Sequence, residues 1–483
     1  MKVVRLWCTL AVVVGFVSAV HGADLFNVPT HGNVLSSNVS ASDVAVFRAL
    51  RPPESVRTFR SEAVDAKIAS VAAKIKNKTV RDMFEACYPN TLDTTVKGDG
   101  YVITGDIDAM WLRDSAAQVW PYLRHVGEDA KLKELVRKLI LRQFANMRLD
   151  PYANAFYADE EKEGEWKDDM TDMKPGLHER KYEIDSLCYP IRLAHGYWKA
   201  SGDTTVFSGE WENTLRIVLR TFREQQRKGG QETSYRFQRL TKTPVDTLGN
   251  GGRGSPVRPV GLIASAFRPS DDATILPFLV PSNFFAVDVL RKSSEILKAT
   301  GGSAALVKEC DALADEVHDA LMKHAVVDTE KWGRVYAFEV DGYGGRILMD
   351  DANAPSLLSL PYLCGIDRHD PVYVNTRRMI LSPEGNPYCF RGKALEGIGS
   401  PHTGLGKVWP MSLIMRILTS EDDDEIRAAM KMLVGTTAGT GFMHESVNAD
   451  DPADFTRSWF AWANTLFGEV VLELVERGKE DLL

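Results

Sequence analysis

Beyond its first twenty-odd positions, the 483-residue sequence contains no long apolar run. That excludes a membrane-spanning helix from the rest of the chain, since a span needs about 20 consecutive apolar residues. No clustered run of Lys and Arg occurs either. Nucleic-acid binding is thereby excluded, because neutralising phosphates takes clustered positive charge. The chain lacks H-E-x-x-H, paired C-x-x-C and EF-hand patterns, and so offers no strong metal site. It also lacks G-x-S-x-G, a P-loop and a dinucleotide fingerprint. The stretch Gly249–Gly254 (GNGGRG) reads as a flexible loop and does not match a phosphate cradle. No sequence period repeats, which counts against a solenoid. Cysteine is sparse: Cys8, then Cys87, Cys188, Cys310, Cys364 and Cys389. Most of the last five read as small buried apolar residues, and Cys364–Cys389 is the example of a pair that could close.

Residues 1–22 read as a secretory signal peptide. Lys2 and Arg5 precede an apolar segment through Phe16, and Val20-His21-Gly22 suits cleavage before Ala23. Removing those two basic residues takes the net charge from −8 to −10. The expectation is an exported protein, secreted or periplasmic, with no membrane association after cleavage. Residues 23–41 form a polar leader, and 42–483 read as one catalytic domain with no low-complexity linker.

Thirteen amphipathic patterns of helical period follow, from Ser61–Lys76 to Arg457–Arg477. Strand-like runs are few, at Gln231–Leu240 and Val335–Ile347. Paired helices in two layers fit this pattern, and a closed ring of six hairpins, an (α/α)6 barrel, is one such arrangement. In such a ring the inner helices converge at one end. Loops from the whole chain can there pool their side chains in one pocket.

Several loops have a shared character. Thr104–Leu123 (TGDIDAMWLRDSAAQVWPYL) brings Trp111, Arg113 and Asp114 to a helix entrance. Arg offers a planar fork for two hydroxyls or a carboxylate, and Trp a flat face for a sugar ring. His178–Pro190 (HERKYEIDSLCYP) places Glu183 and Asp185 at another entrance, with Pro190 early in the helix. An Asp partly desolvated near a second carboxylate is pushed toward its protonated form, as a general acid must be. Arg268, Asp271 and Asp272 precede a third apolar segment, and Asp350–Leu363 (DDANAPSLLSLPYL) a fourth. His402 lies in the Gly-containing loop Ser400–Trp409 (SPHTGLGKVW). His444 and Glu445 follow a Gly-rich turn and precede an aromatic helix with Trp459, Phe460, Trp462 and Phe467. Singly, each is explained by helix capping. Their repetition favours a shared polar cup.

Together these motifs, spanning about residues 100–468, resemble glycoside hydrolase family 125. The resemblance implies an (α/α)6 barrel and an exo-acting α-1,6-mannosidase that inverts configuration without metal or other cofactor. It implies Asp185 as general acid and Glu445 as general base. Trp111, Arg113 and Asp114 would line the sugar subsite, joined by Tyr182, Asp351, Asn353, His402 and His444. The implied partner is a mannose-containing oligosaccharide or glycoprotein glycan. A carbohydrate-binding relative without activity would have lost one of the carboxylates, and a phosphorolytic enzyme would carry a phosphate site in place of the base. The segment 227–260 falls outside the matching motifs and is expected to shape the acceptor side.

Overall fold

The computed structural model describes residues 51–483. The signal peptide and the leader expected at 1–22 and 23–41 lie outside the described residues. Fourteen helices carry the architecture. In chain order they are α1 (Glu62–Ala72), α2 (Lys78–Cys87), α3 (Asn90–Thr94), α4 (Leu112–Val119) and α5 (Ala130–Leu149). Then come α6 (Ile184–Ser201), α7 (Gly209–Gln225), α8 (Val280–Thr300), α9 (Ala304–His324) and α10 (Leu360–Cys364). The last four are α11 (Pro371–Ile380), α12 (Pro410–Leu418), α13 (Asp423–Gly435) and α14 (Ala461–Glu476). Among the described residues no helix is long and apolar enough to cross a membrane.

Burial and helix-to-helix packing together sort these helices into two layers. In α14, 14 of 16 residues are buried, whereas in α9 only 7 of 21 are. A helix that is apolar all round must be covered on every side, and one with a single apolar stripe faces solvent. The inner layer is α4, α6, α8, α10, α12 and α14. Helix α4 packs on α6, α6 on α8 and α8 on α10, while α12 packs on α14 and α14 returns to α4. The outer helices α2, α5, α7, α9, α11 and α13 alternate with them in sequence. This is the (α/α)6 barrel. Close approach between layers has its own requirement at Gly468 of α14, where a Cβ would lie 2.6 Å from the Tyr88 side chain.

Each of the thirteen periodic patterns overlaps a helix, but the strands follow the sequence less well. Val335–Ile347 breaks into short strands at Gly333–Tyr336, Glu339–Val340 and Arg346–Ile347. Gln231–Leu240 is not a strand: it makes one isolated bridge, Gln238 to Met170. Pro190 is the seventh residue of α6 rather than an early one, so the Ser186 carbonyl loses its helical donor. The five cysteines described are all free, and all but the partly buried Cys364 are buried.

Candidate active site

Five of the six outer helices begin differently from the inner ones; α7 has no side-chain cap. Asn77, Asp129, Ser303, Asp370 and Asp422 cap α2, α5, α9, α11 and α13 with their side chains. None of the six inner helices has a side-chain cap. Three of their N-cap positions are aromatic: Trp111, Trp409 and Phe460. Capping therefore does not explain the polar loops ahead of the inner helices. The polar side chains are directed elsewhere, and the positive ends of the helix dipoles remain available to nearby carboxylates.

They surround a cavity of 390 Å3 at that end of the barrel. Small-molecule sites fall in the range of about 300–1,000 Å3. Ile107, Trp111, Trp409, Phe460 and Trp462 supply apolar walls, and Asp114, Asp271, Asp272, Asn353, His402 and Glu445 supply polar ones.

Arg113 is buried at the cavity floor. Its Nη1 donates to Glu183 Oε2 at 2.6 Å and Asp185 Oδ2 at 3.4 Å, and its Nη2 donates to Asp271 Oδ1 at 3.1 Å. Asp114 Oδ2 lies 3.4 Å from Nε. One guanidinium cannot keep four closely packed carboxylates ionised, and the cluster divides accordingly. Burial pushes Glu183 well above the usual carboxylate range despite Arg113, and raises Asp185 and Asp114 to about 6. Burial acts on Asp271 in the same direction, but Arg113 and then Lys181 outweigh it and hold that carboxyl far below its ordinary value.

The loop carrying Asp271 and Asp272 is set by Glu339. This residue pairs with Leu279 in a small antiparallel sheet, accepts from Arg268 Nε at 2.7 Å, and accepts the backbone N–H groups of Ile275 and Leu276. Asp271 sits at φ 64°, a left-handed conformation that Asp tolerates better than most residues. Asp272 is buried; its Oδ1 accepts from His402 Nδ1 at 3.0 Å, and its Oδ2 has no protein partner.

Across the cavity, Glu445 precedes a hairpin in which Ser446 pairs with Thr456. Glu445 and Arg457 thus flank paired positions, and Arg457 Nη1 donates to Glu445 Oε1 at 3.3 Å. Asp106 holds the other side of the Arg457 guanidinium. Two buried atoms of the wall, Trp111 Nε1 and Asp114 Oδ2, also lack a hydrogen-bond partner. A hydroxyl-rich ligand would satisfy both.

The structure brings Trp111, Arg113, Asp114, Asn353, His402 and Glu445 to the cavity, as the sequence led one to expect. Tyr182, Asp185, Asp351 and His444 do not line it. Asp185, expected as the acid, is wholly buried beneath the floor against Arg113. Tyr182 is buried edge-on to Tyr152, its ring centroid 5.1 Å away. Asp351 accepts from Ser270 Oγ, Ser400 Oγ and Asn353 Nδ2, and so ties three site loops together. His444 stacks on Phe455 with centroids 3.8 Å apart, and burial lowers it to about 4, leaving a neutral ring.

Sequence reasoning missed one side of the cavity wall. Trp166 and Arg239 meet there at 3.7 Å, and Arg239 also contacts Asp169, Glu179 and Asp246. Lys181 reaches Asp246 Oδ1 at 2.5 Å and the Asp271 carbonyl at 2.9 Å. Glu179 and Lys181 stood inside a recognised motif, but Trp166 lies in a segment with no periodic signal. Arg239, Thr243 and Asp246 come from the 227–260 segment expected on the acceptor side. Among the described residues no group of three His, Cys, Asp or Glu side chains is arranged to hold a metal ion.

A model of the family described as metal-independent alpha-mannosidase (GH125) matches residues 77–472. The meiotically up-regulated gene 157 protein of Schizosaccharomyces pombe is 43% identical over 450 residues, covering 88% of each chain. A solved structure from Streptococcus pneumoniae is 41% identical with a TM-score of 0.84, covering 87% of this chain and 99% of that one. It is described as a metal-independent α-mannosidase in a non-productive substrate complex with α-1,6-mannobiose.

Proposed function

The chain belongs to glycoside hydrolase family 125, the metal-independent α-mannosidases, and on that premise we propose that it removes terminal α-1,6-linked mannose from the non-reducing end of a glycan with inversion. The observation that carries this reading is the placement of two carboxylates. Glu445 leads into α14 and Asp272 into α8, the sixth and third inner helices in chain order, so they approach the cavity from opposed sides. Inversion needs a base and an acid on opposite faces of the ring, separated by room for a water, about 6.5–9.5 Å.

In this mechanism Glu445 takes a proton from the water that attacks C1. The C1–O bond breaks, its electron pair leaves with the departing oxygen, and Asp272 supplies that oxygen's proton. Asp185 was the expected acid, but its burial under Arg113 leaves it no contact with a substrate in the cavity. Asp271 is a poor acid, because Arg113 and Lys181 keep it ionised. Asp272 has one carboxylate oxygen held by His402 and the other without a protein partner. Asp185 and Glu183 instead orient Arg113.

Exo action is part of the proposal, with the buried Arg113 cluster taken as the closed end of the cavity. One terminal mannose would sit among Trp111, Arg113, Asp114 and Trp462, and the next sugar would meet Trp166 and Arg239 at the rim. The charge of the chain raises no objection to a neutral glycan. Export to the periplasm or medium is part of the proposal, and rests on residues 1–22.

The test is a digest of defined mannobioses with and without excess EDTA and phosphate. We expect mannose from α-1,6-mannobiose at least about tenfold faster than from the α-1,2 or α-1,3 isomers. EDTA and phosphate should leave the rate unchanged. Faster cleavage of another isomer overturns the linkage. Loss on chelation restored by calcium or zinc overturns metal independence, and dependence on phosphate overturns hydrolysis.

A further inference from the structure

We propose that Arg457 aims the general base: it holds one oxygen of Glu445 and leaves the other for the attacking water, and Asp106 and His444 in turn hold Arg457. The inference rests on the reading of Glu445 given above, and Arg457 is a positioning residue that acts through Glu445. A glutamate side chain turns about several bonds, and a base has its full effect only when its accepting oxygen is fixed on the water. Among the described residues Arg457 is the one side chain that donates to Glu445, from Nη1 to Oε1 at 3.3 Å. That leaves Oε2 to take the proton. His402 also feels the Glu445 charge, but its hydrogen bond goes to Asp272.

The guanidinium is placed from two sides. Nε donates to Asp106 Oδ2 at 3.0 Å and Nη2 to Asp106 Oδ1, a two-pronged contact that fixes the plane of the fork. Its central carbon stands 5.2 Å from the centre of the Phe460 ring. With Nε and Nη2 committed to Asp106, Nη1 is the nitrogen turned to the base.

The backbone is held as well. Arg457 sits at φ 50°, a left-handed conformation that a residue other than glycine adopts rarely. His444 Nδ1–H donates to the Arg457 carbonyl oxygen at 3.0 Å, and the Glu445 N–H donates to the Thr456 carbonyl oxygen at 3.3 Å. His444–Glu445 and Thr456–Arg457 therefore meet as two short segments tied by backbone and side chain alike. This gives a use to His444, which lies outside the cavity lining: it fixes the turn from which Arg457 reaches Glu445.

Asp106 belongs to the loop before α4, which leads to Trp111 and Arg113. Beside it Gly105, at φ 138°, packs on Trp459, where a Cβ would lie 3.3 Å from the nearest ring carbon. The loops before α4 and α14 thus mate twice, at Gly105–Trp459 and at Asp106–Arg457, and the two helices are packed neighbours. One loop carries residues of the sugar subsite and the other carries the base. Their contact sets the base against the sugar it serves. The side chains of Asp106 and Arg457 are 38% and 20% exposed, so replacing either does not empty a core.

The experiment measures kcat and KM on α-1,6-mannobiose and on 2,4-dinitrophenyl α-mannoside. It compares wild type, Arg457→Ala, Asp106→Asn and Glu445→Gln, and combines Arg457→Ala with each of the other two. Arg457→Ala should lower kcat by about 10–10²-fold on both substrates, since water attacks C1 whatever group departs, with KM within about twofold of wild type. In the Glu445→Gln background the same substitution should cost less than about twofold more, because no base is left to aim. Asp106→Asn should lower kcat by about three- to tenfold alone, and by less than about twofold once Arg457 is gone. A full Arg457→Ala loss that persists in the Glu445→Gln background makes Arg457 structural and overturns the proposal. So does a rise in KM in place of a fall in kcat, which makes it a sugar contact, or a loss confined to the disaccharide, which places it beside the departing sugar. An Asp106→Asn loss that adds in full to that of Arg457→Ala removes Asp106 from the device. Arg457→Lys, which keeps the charge without the fork, is judged by the same comparison in the two backgrounds if the alanine variant does not fold. Glu445→Gln alone tests the underlying reading: turnover close to wild type there removes Glu445 as the base, whatever Arg457 does.

Discussion

Glu445→Gln should lower kcat on α-1,6-mannobiose by about 10² or more while leaving substrate binding close to that of wild type. The amide matches the carboxylate in shape, and its oxygen can still accept from Arg457 Nη1, now 3.3 Å from Oε1. What it loses is the ability to take a proton. The hairpin that sets its position is made by backbone pairing of Ser446 with Thr456 and Val447 with Phe455, none of which involves the Glu445 side chain. Neither the fold nor the sugar contacts at Trp111 and Arg113 should therefore change. Single-turnover rates and calorimetric titration with the disaccharide separate the two effects. Equal loss of binding and turnover would make Glu445 a binding residue and leave the base to be found elsewhere.

Arg113→Lys should have an effect as large on kcat/KM, about 10²–10³, together with a loss of stability that grows with pH. The guanidinium reaches Glu183, Asp185 and Asp271 in three directions, and Asp114 lies beside it. An ammonium is a point charge without the planar fork, and cannot hold that geometry. Asp271 would lose its principal counter-charge, and the loop that also carries Asp272 would lose a tether. Breaking a buried pair of this kind costs about 3–5 kcal/mol when one partner is removed, and less when a positive charge is retained. The pH dependence follows from the carboxyls. Asp185 and Asp114, raised to about 6 by burial despite Arg113, take up protons on folding. A group whose folded value lies above its unfolded one favours the fold at low pH and opposes it as pH rises through that value. Weakening the counter-charge raises the folded values further. The deficit of the variant in thermal unfolding should thus be smaller at pH 5 than at pH 8. A deficit that is the same at both would mean that the cluster does not couple to protonation. Near-normal kinetics would make Arg113 peripheral to the sugar.

Much of this site was legible in the sequence, because inner helices of a closed ring announce themselves. Their apolar residues recur at helical spacing, and polar loops precede them again and again along the chain. Capping was the ordinary explanation for those loops, and the structure removes it: the side chains that cap belong to the outer helices. Resemblance of the motifs carried Trp111, Arg113 and Glu445 to their places. It did not separate Asp185 from Asp272. Both are carboxylates near the start of an inner helix, and sequence spacing does not say which looks into the cavity. That depends on Glu339, 67 positions beyond Asp272, which anchors Arg268 and thereby turns the Asp271–Asp272 loop inward. The strands that perform this positioning are two to four residues long. A period of two has no room to show in so short a segment. Trp166 and Arg239 were hidden for a related reason: they lie in irregular segments, joined by a cation–π contact and ion pairs rather than by a repeating pattern.

The central claim is that water attacks C1 from the face opposite the departing sugar, with Glu445 and Asp272 on the two sides. Proton NMR of the first-formed product from α-1,6-mannobiose tests it most directly. Recorded before mutarotation, the spectrum should show β-mannose rising first and α-mannose only later, as the anomers equilibrate. α-Mannose as the first product would contradict the account, because it requires a covalent or retained intermediate and carboxylates about 5–5.5 Å apart on the two sides of the bond.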